Sequence, residues 1–281
     1  MQPKKEQYRR KLPHFQQPGQ WYSVTFTLKG AMPKGAMAKY ASVLETARTR
    51  YQLLVQEAAR RESDFPKSDK KLSGLGISGL GNQESRESES RESEFPNSDT
   101  KLAEAKKEYQ INLRKYRLAY DKILNKSVLP GINLCNENNR KIIEEALSFW
   151  EGKRLTSHAW CIMQNHIHWI ITVFEKEVGV GLSKSDNSTW ESRSPKEKPV
   201  YLQDILHSVK LFTARRINEN ENRTGQLWEE ESFETTIRND RHFVNVINYV
   251  LNNPVSAGLV ANRDDWKGSR SFGSRSFPTP T

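Results

Sequence analysis

The chain has 281 residues with 35% hydrophobic content and a mean hydropathy of -0.80, so it can bury one sizeable core diluted by polar segments. Lys and Arg number 44 against 34 Asp and Glu, and the net charge of +10 favours a polyanionic partner such as nucleic acid, although a merely basic soluble protein shares this balance. Two cysteines without a Cys-x-x-Cys pair exclude a disulfide framework, no apolar run approaches the ~20 residues of a membrane span, and the basic N-terminus lacks an apolar signal core. We therefore expect a cytoplasmic protein with no membrane partner.

Residues 1–20 form a basic arm that contains prolines and three consecutive cations, Arg9, Arg10 and Lys11. Such an arm either follows phosphates or is a disordered terminus. After it, alternating apolar and polar residues predict a strand over 21–28 with one buried face.

Two polar insertions interrupt the chain. Residues 61–100 contain a twelve-residue segment that begins at Arg61 and recurs at Arg91 with nine identities, separated by a stretch rich in Gly, Ser and charge. Residues 179–199 have a similar composition, which cannot bury a core, so we assign neither insertion any chemistry. Helical patterns over 37–60 and 101–126 predict a helical hairpin on either side of the first insertion.

The remaining patterns alternate between helix and strand. We predict helices over 137–151, 201–218 and 241–252, strands over 154–163, 166–174 and 233–237, and a short strand around 227–228. With the first strand this order is βαββαβ plus a final helix, which predicts an α+β fold with a ferredoxin-like antiparallel sheet and helices on one face. The predicted organisation is an arm over 1–20, a single domain over 21–260 and a flexible tail over 261–281.

A histidine pair stands in the middle of that sheet. His166 and His168 are two residues apart in a strand, so they share one face about 7 Å apart, whereas the neighbours Ile167 and Trp169 face the core. Two imidazoles at this spacing can bind one metal ion, and the alternative is a pair of hydrogen-bonded sheet histidines.

The final helix carries a second polar face. Its core stripe comprises Phe243, Ile247 and Val250, and a separate face presents Tyr249 and Asn253. Tyr249 alone reads as a surface tyrosine that tethers its hydroxyl. Asn253 precedes a proline, which disfavours helical backbone there, so we expect it at a frayed helix end.

The helix over 201–218 has a predicted inward stripe that ends at Phe212, with Lys210, Arg215 and Arg216 outside it. These cations either hold phosphates or form the ordinary solvated face of the helix.

Five stretches together resemble the single-tyrosine, His-hydrophobic-His (HUH) transposases of the insertion-sequence type, most closely their REP-associated tyrosine transposase branch. These stretches are Arg10–Phe15 with Tyr22–Phe26, Ile162–His168, Ser208–Lys210 through Ile217–Asn218, Gly225–Trp228 through Ile237–Arg238, and Tyr249–Val260. Two features depart from the family pattern: Gln164 stands where the family usually has proline, and the two polar insertions are foreign to it.

This resemblance implies a mechanism. His166, His168 and the Asn253 amide oxygen would bind a divalent cation, Mg²⁺ or Mn²⁺, of which Mn²⁺ suits imidazole better. Tyr249, on the added C-terminal helix, would attack a phosphodiester to give a 5′-phosphotyrosine and a free 3′-OH. Arg238 and the arm residues Arg9, Arg10 and Lys11 would contact phosphates.

The resemblance also implies the substrate. We expect single-stranded or hairpin DNA that bears repeated palindromic elements to be cleaved and rejoined by a bacterial protein that associates with the nucleoid when bound. We expect a monomer, with a dimer that shares its active sites as the alternative. The first alternative is a domesticated protein that binds hairpin DNA without cutting it. The second is a replication or plasmid-mobilisation nicking enzyme, whose motif order usually differs.

Overall fold

The computed structural model describes residues 7–9, 13–15, 17–64, 98–127, 129, 131–177 and 198–273. Most of both predicted insertions and the end of the predicted tail lie outside these residues. The side chains of 7–9, 13–15 and 62–64 also lie outside the description.

The secondary structure follows the predicted order. The strands are β1 (Gln7–Arg9), β2 (Pro13–Phe15), β3 (Trp21–Thr27), β4 (Leu155–Ile162), β5 (His166–Val173), β6 (Phe233–Thr236) and β7 (Ser269–Ser271). The helices are α1 (Ala38–Asp64), α2 (Ser98–Lys126), α3 (Glu137–Ser148), α4 (Leu202–Asn220), α5 (Asp240–Leu251) and α6 (Asn253–Ser256), followed by a 3-10 turn at Arg263–Asp265. The segment predicted as a strand around 227–228 forms only an isolated bridge, between Leu28 and Trp228.

Five strands form one antiparallel sheet in the order β6-β3-β5-β4-β7. Within the βαββαβ segment this order places the first and third strands in the centre, which is the ferredoxin-like arrangement. The predicted α+β class with an antiparallel sheet is therefore confirmed. The sheet gains β7 at one edge, a strand that the sequence patterns did not predict.

One face of the sheet packs against α3 and α4. Strand pairing sets Phe26 opposite Ile167, so both side chains share this face. The Trp228 ring lies edge-on to the Phe26 ring, with their centroids 5.0 Å apart. Its Nε1 donates to Thr213 Oγ1 on α4 at 2.9 Å. Helices α3 and α4 also pack against each other. Trp169 on the same face is buried, as predicted.

The opposite face, which carries the histidines, packs against α5. Strand pairing sets Thr25 opposite His168 on this face. Its core brings Trp21 and Ile170 of the sheet against Phe243 and Val250 of α5. The structure therefore packs the helix that carries Tyr249 on the histidine side of the sheet.

Local signals explain both ends of α5. Asn239 caps the helix, because its side chain accepts a hydrogen bond from the His242 backbone N–H at 2.9 Å. At the other end, Asn253 is not frayed as expected but begins α6 and is buried. Pro254 is tolerated there because the first turn of a helix leaves its N–H groups without helical partners anyway.

The buried stripe of α4 departs from the predicted one at its end, where Thr213 and Ile217 take the place of Phe212. Phe212 is exposed, and Thr213 is buried instead. The stripe advances by four residues from Val209 to Thr213 and again to Ile217, and Thr213 is the acceptor that the buried Trp228 N–H requires. Hydrogen bonding thus overrides the preference for the larger apolar side chain.

The chain divides into two compact units, residues 1–34 with 122–281 and residues 35–121. Within the second unit, α1 and α2 pair as the predicted helical hairpin: Arg50 forms an ion pair with Glu108 at 2.8 Å, and the Tyr51 and Tyr109 rings stack at 6.0 Å. The assignment of residues 21–260 to a single domain stays a prediction.

Across the described ranges, none of the helices combines the length and apolar character needed to span a bilayer.

Replacing Thr213 with Val should lower the free energy of unfolding by about 1–3 kcal/mol, because the buried Trp228 N–H loses its acceptor while side-chain shape is kept. Chemical denaturation measures this change. The matched control is Thr46→Val on α1, where the hydroxyl also donates to the carbonyl four residues earlier but is exposed. Equal losses in the two variants would contradict the prediction.

Candidate active site

The two histidines meet at their ring nitrogens. His166 and His168 are both buried, their rings lie nearly perpendicular with centroids 4.8 Å apart, and their Nε2 atoms are 3.2 Å from each other. The shared strand face predicted for the pair is therefore present, and the rings have turned their Nε2 atoms together.

The surroundings of His166 select one tautomer. The Asn165 amide nitrogen donates to the carbonyls of Leu124 and Ser127 at 2.9 and 2.7 Å, which fixes the orientation of that amide. Its Oδ1 consequently faces His166 Nδ1 at 2.6 Å and requires an N–H there. The neutral His166 ring then presents a lone pair at Nε2.

His168 is held in a similar way. Its Nδ1 lies 2.9 Å from Thr25 Oγ1 and its Nε2 lies 2.8 Å from the Asn253 amide nitrogen. When Thr25 accepts from Nδ1–H of His168, the Nε2 atom of that ring carries a lone pair. This tautomer of His168 is assigned from the hydrogen-bond network.

Burial keeps His166 neutral. Desolvation, and secondly the nearby His168, lower the pKa of His166 well below 6.5. His166 is therefore uncharged at neutral pH, the form in which imidazole binds a metal ion.

The donor set fits one divalent cation. Two imidazole nitrogens that each lie about 2.1 Å from one ion are separated by roughly 3.0–3.4 Å at octahedral to tetrahedral angles, which brackets the observed 3.2 Å. The second ring nitrogens already have partners in Asn165 and Thr25, as metal-binding histidines usually do. Within the described ranges no cluster of three or more His, Cys, Asp or Glu side chains is arranged to hold a metal, so a third protein ligand here would be the Asn253 amide.

Tyr249 stands at the exposed rim of this cluster. Its ring centroid is 6.4 Å from that of His168, and 39% of the residue is exposed. The structure thus brings together His166, His168, Asn253 and Tyr249, the four residues that the sequence assigned to metal binding and nucleophilic attack.

The cations predicted to contact DNA do not gather around the cluster. Lys210, Arg215 and Arg216 belong to α4, on the opposite face of the sheet, and Arg215 is paired with Glu219 at 3.0 Å. Arg238 precedes α5, whose first residue, Asp240, lies about 14 Å along the helix from Tyr249. The Arg9 backbone lies in β1, and Arg10 and Lys11 fall outside the described residues. Their contacts with DNA stay predictions.

Lys210 is engaged within the protein. Its Nζ donates to the carbonyls of Glu229 and Glu230 at 3.0 and 3.3 Å. Burial lowers the pKa of Lys210 to about 8, against an opposing effect of the surrounding carboxylates, foremost Glu234. The ammonium borders a cavity of about 690 Å³ whose wall carries several of these carboxylates, so this surface is unfavourable for a phosphate.

Three polar side chains that the sequence patterns did not single out support the cluster: Thr25, Asn165 and Asn125. Asn165 could have been found, because it directly precedes His166 at the predicted turn. The role of Thr25 follows from the pairing of β3 with β5, which places this residue opposite His168. Asn125 lies in a charged helix and contacts Asn253 at 2.9 Å across 128 positions of sequence, so no local pattern marks it.

No family model matches the sequence, and no curated protein matches it. Among solved structures, the chain is similar to a REP-associated tyrosine transposase bound to a REP hairpin, with a TM-score of 0.37 and 13% identity over 93% of this chain and 80% of that one.

The lowered pKa of Lys210 predicts a pH dependence of stability. Between its folded pKa of about 8 and the ordinary value of 10.5, the unfolded chain holds this proton more tightly, so the contribution of Lys210 to stability rises with pH across that window and is lowest below it. The free energy of unfolding of the wild type relative to Lys210→Met should therefore increase from about pH 7.5 to about pH 9.5.

Chemical denaturation at the two pH values measures this difference. Lys39→Met, which removes an exposed lysine of α1, is the matched control. A difference between wild type and Lys210→Met that stays constant with pH would contradict the lowered pKa.

Proposed function

We propose that the protein is a metal-dependent DNA strand transferase that cleaves and rejoins single-stranded or hairpin DNA through a 5′-phosphotyrosine, acting as a monomer on repeated palindromic elements. The observation that carries the proposal is the convergence of the two Nε2 atoms, 3.2 Å apart, with the Asn253 amide and the Tyr249 ring beside them.

In this proposal His166, His168 and Asn253 hold Mg²⁺ or Mn²⁺. When bound, the cation polarises the scissile phosphate and offsets the charge that builds on its oxygens. Asn165 and Thr25 fix the ring orientations of His166 and His168 through hydrogen bonds. Burial of the cluster excludes water that would compete for the same positions.

Tyr249 is the proposed nucleophile. Its Oη attacks the phosphorus, the bond between phosphorus and the 3′ oxygen breaks, the phenolic proton passes to solvent, and the departing oxygen takes up a proton to become the 3′-OH. Phenols have a pKa of roughly 10 and attack poorly while protonated, so a cation nearby favours the reactive phenolate. The phosphotyrosine keeps the energy of the phosphodiester, so attack by a 3′-OH rejoins the strand without ATP.

The exposure of Tyr249 suits a polymeric substrate. A nucleophile at the rim can reach a DNA backbone that does not enter the buried cluster, whereas the histidines are shielded. The net charge of +10 favours association with this polyanion.

Tyr249→Phe should abolish a covalent protein–DNA adduct, because it removes the attacking oxygen and keeps the ring. The measurement is a denaturing gel after incubation with Mn²⁺ and a fluorescent pool of hairpin oligonucleotides with randomised single-stranded flanks. The matched control is Tyr40→Phe, since Tyr40 has a similar exposure of 42% and should leave the adduct intact.

Sequencing of the cut ends from the same pool gives the cleavage position. Adduct formation by Tyr249→Phe would refute the assigned nucleophile. Hairpin binding by the wild type without any adduct would favour the non-cleaving alternative.

His166→Ala should weaken binding of Mn²⁺ by at least tenfold, because it removes one of two imidazole ligands. Isothermal titration calorimetry on the purified full-length chain measures the Kd directly. His207→Ala, which removes an exposed histidine of α4 on the other side of the sheet, is the matched control. Equal affinity in the two variants would rule out the proposed metal site.

A further inference from the structure

The Asn253 amide lies between two partners. Its nitrogen is 2.8 Å from His168 Nε2, and its oxygen accepts from Asn125 Nδ2 at 2.9 Å. In this orientation the amide offers the histidine a hydrogen-bond donor. A cation shared with His168 instead requires the carbonyl oxygen on that side.

Asn125 carries the group that such a reorientation requires. Its Oδ1 is buried and has no hydrogen-bond partner within the described part of the chain. Turning both amides by 180° would set Asn125 Oδ1 against Asn253 Nδ2 and direct the Asn253 oxygen toward His168. Because an asparagine both donates and accepts, Asn125 can support either orientation of Asn253.

The same turn of chain also fixes the other histidine. The carbonyls of Leu124 and Ser127 flank Asn125 and accept the two hydrogen bonds from Asn165, whose oxygen in turn faces His166 Nδ1. These carbonyls stand at the end of α2, where the i to i+4 hydrogen bonds of the helix run out; the Leu124 carbonyl also accepts from the Ser127 backbone N–H at 3.0 Å. The turn 124–127 therefore reaches both histidines, His166 through Asn165 and His168 through Asn253.

We infer that Asn125 is a positioning residue that presents the Asn253 carbonyl oxygen to the cation. This inference rests on the proposed function, because it deepens the metal site invoked there. Asn125 itself touches neither the cation nor the DNA in this account; it acts through the orientation of one amide.

The experiment compares two substitutions of Asn125. Asn125→Ala removes the acceptor and should weaken Mn²⁺ binding by roughly tenfold. Asn125→Asp cannot donate to Asn253 and can only accept from its nitrogen, so it holds the oxygen of Asn253 toward His168 and should keep the wild-type affinity or exceed it.

Two controls separate positioning from other effects. Asn112→Ala removes an asparagine thirteen residues earlier in the same helix, and it should leave affinity unchanged. Lys126→Gln lowers the charge of the same turn by one, as Asn125→Asp does, so it measures the gain in cation affinity that charge alone supplies.

Calorimetry with Mn²⁺ gives the Kd of each full-length variant, and thermal melting of the metal-free chains reports folding. A purely structural role for Asn125 would lower the melting temperature of the Ala and Asp variants alike without separating their affinities, and that result would overturn the inference. So would an affinity of Asn125→Ala equal to that of Asn112→Ala. A wild type that fails to bind Mn²⁺ would overturn the proposed function and this inference with it, whereas wild-type binding with no effect at Asn125 would overturn the inference alone.

Discussion

The structure depends most on one local constraint, the approach of two imidazole nitrogens to 3.2 Å inside the protein. Two acceptor nitrogens at this distance repel unless a proton or a cation lies between them, and His168 Nε2 faces the Asn253 amide nitrogen as well. The arrangement persists because the second nitrogen of each ring has a hydrogen-bond partner. Nδ1 of His166 faces Asn165, and Nδ1 of His168 faces Thr25. Strand pairing between β3 and β5 supplies Thr25, and the anchored turn before β5 supplies Asn165.

The histidine pair and Tyr249 differ in how firmly the fold holds them and in how accessible they are. The histidines lie on a central strand with neighbours on both sides, so their positions are fixed by the hydrogen-bond ladders of the sheet. Tyr249 lies on α5, whose apolar stripe packs on the sheet while the tyrosine remains at the surface. A proposed ligand set with little access to water and a proposed nucleophile with access to a polymer thus come from two different kinds of element.

The sequence alone predicted those features whose apolar or polar residues recur at a regular spacing along the chain. The alternation in β3, β4 and β5 predicted the strands, and the two-residue spacing placed both histidines on one face. Phe212 and Thr213 show where periodicity fails, since positions 212 and 213 both continue a helical stripe and a hydrogen bond from Trp228 decides between them. No period marks the three-residue strand β7.

The site was predictable to a similar extent. The family resemblance, which joins His-x-His with a tyrosine and an asparagine four residues apart, pointed to the residues that converge. The supporting role of Asn125 could not be predicted, because its partner Asn253 is distant in sequence and its own helix, α2, carries charged residues on most sides. The positions of the α4 cations were equally hidden, because which side of a sheet a helix covers is a property of tertiary packing rather than of the helix itself.

The outermost strands of the sheet are short: β6 has four residues and β7 has three, beside central strands of seven or eight. A sheet exposes its unpaired backbone groups at its edges, and long flat edges recruit strands from other molecules. Here each rim offers only a few such groups before the chain turns away, so little template remains for intermolecular β-pairing. Among the described residues, the sheet that carries the histidine pair therefore presents only short edges to other molecules.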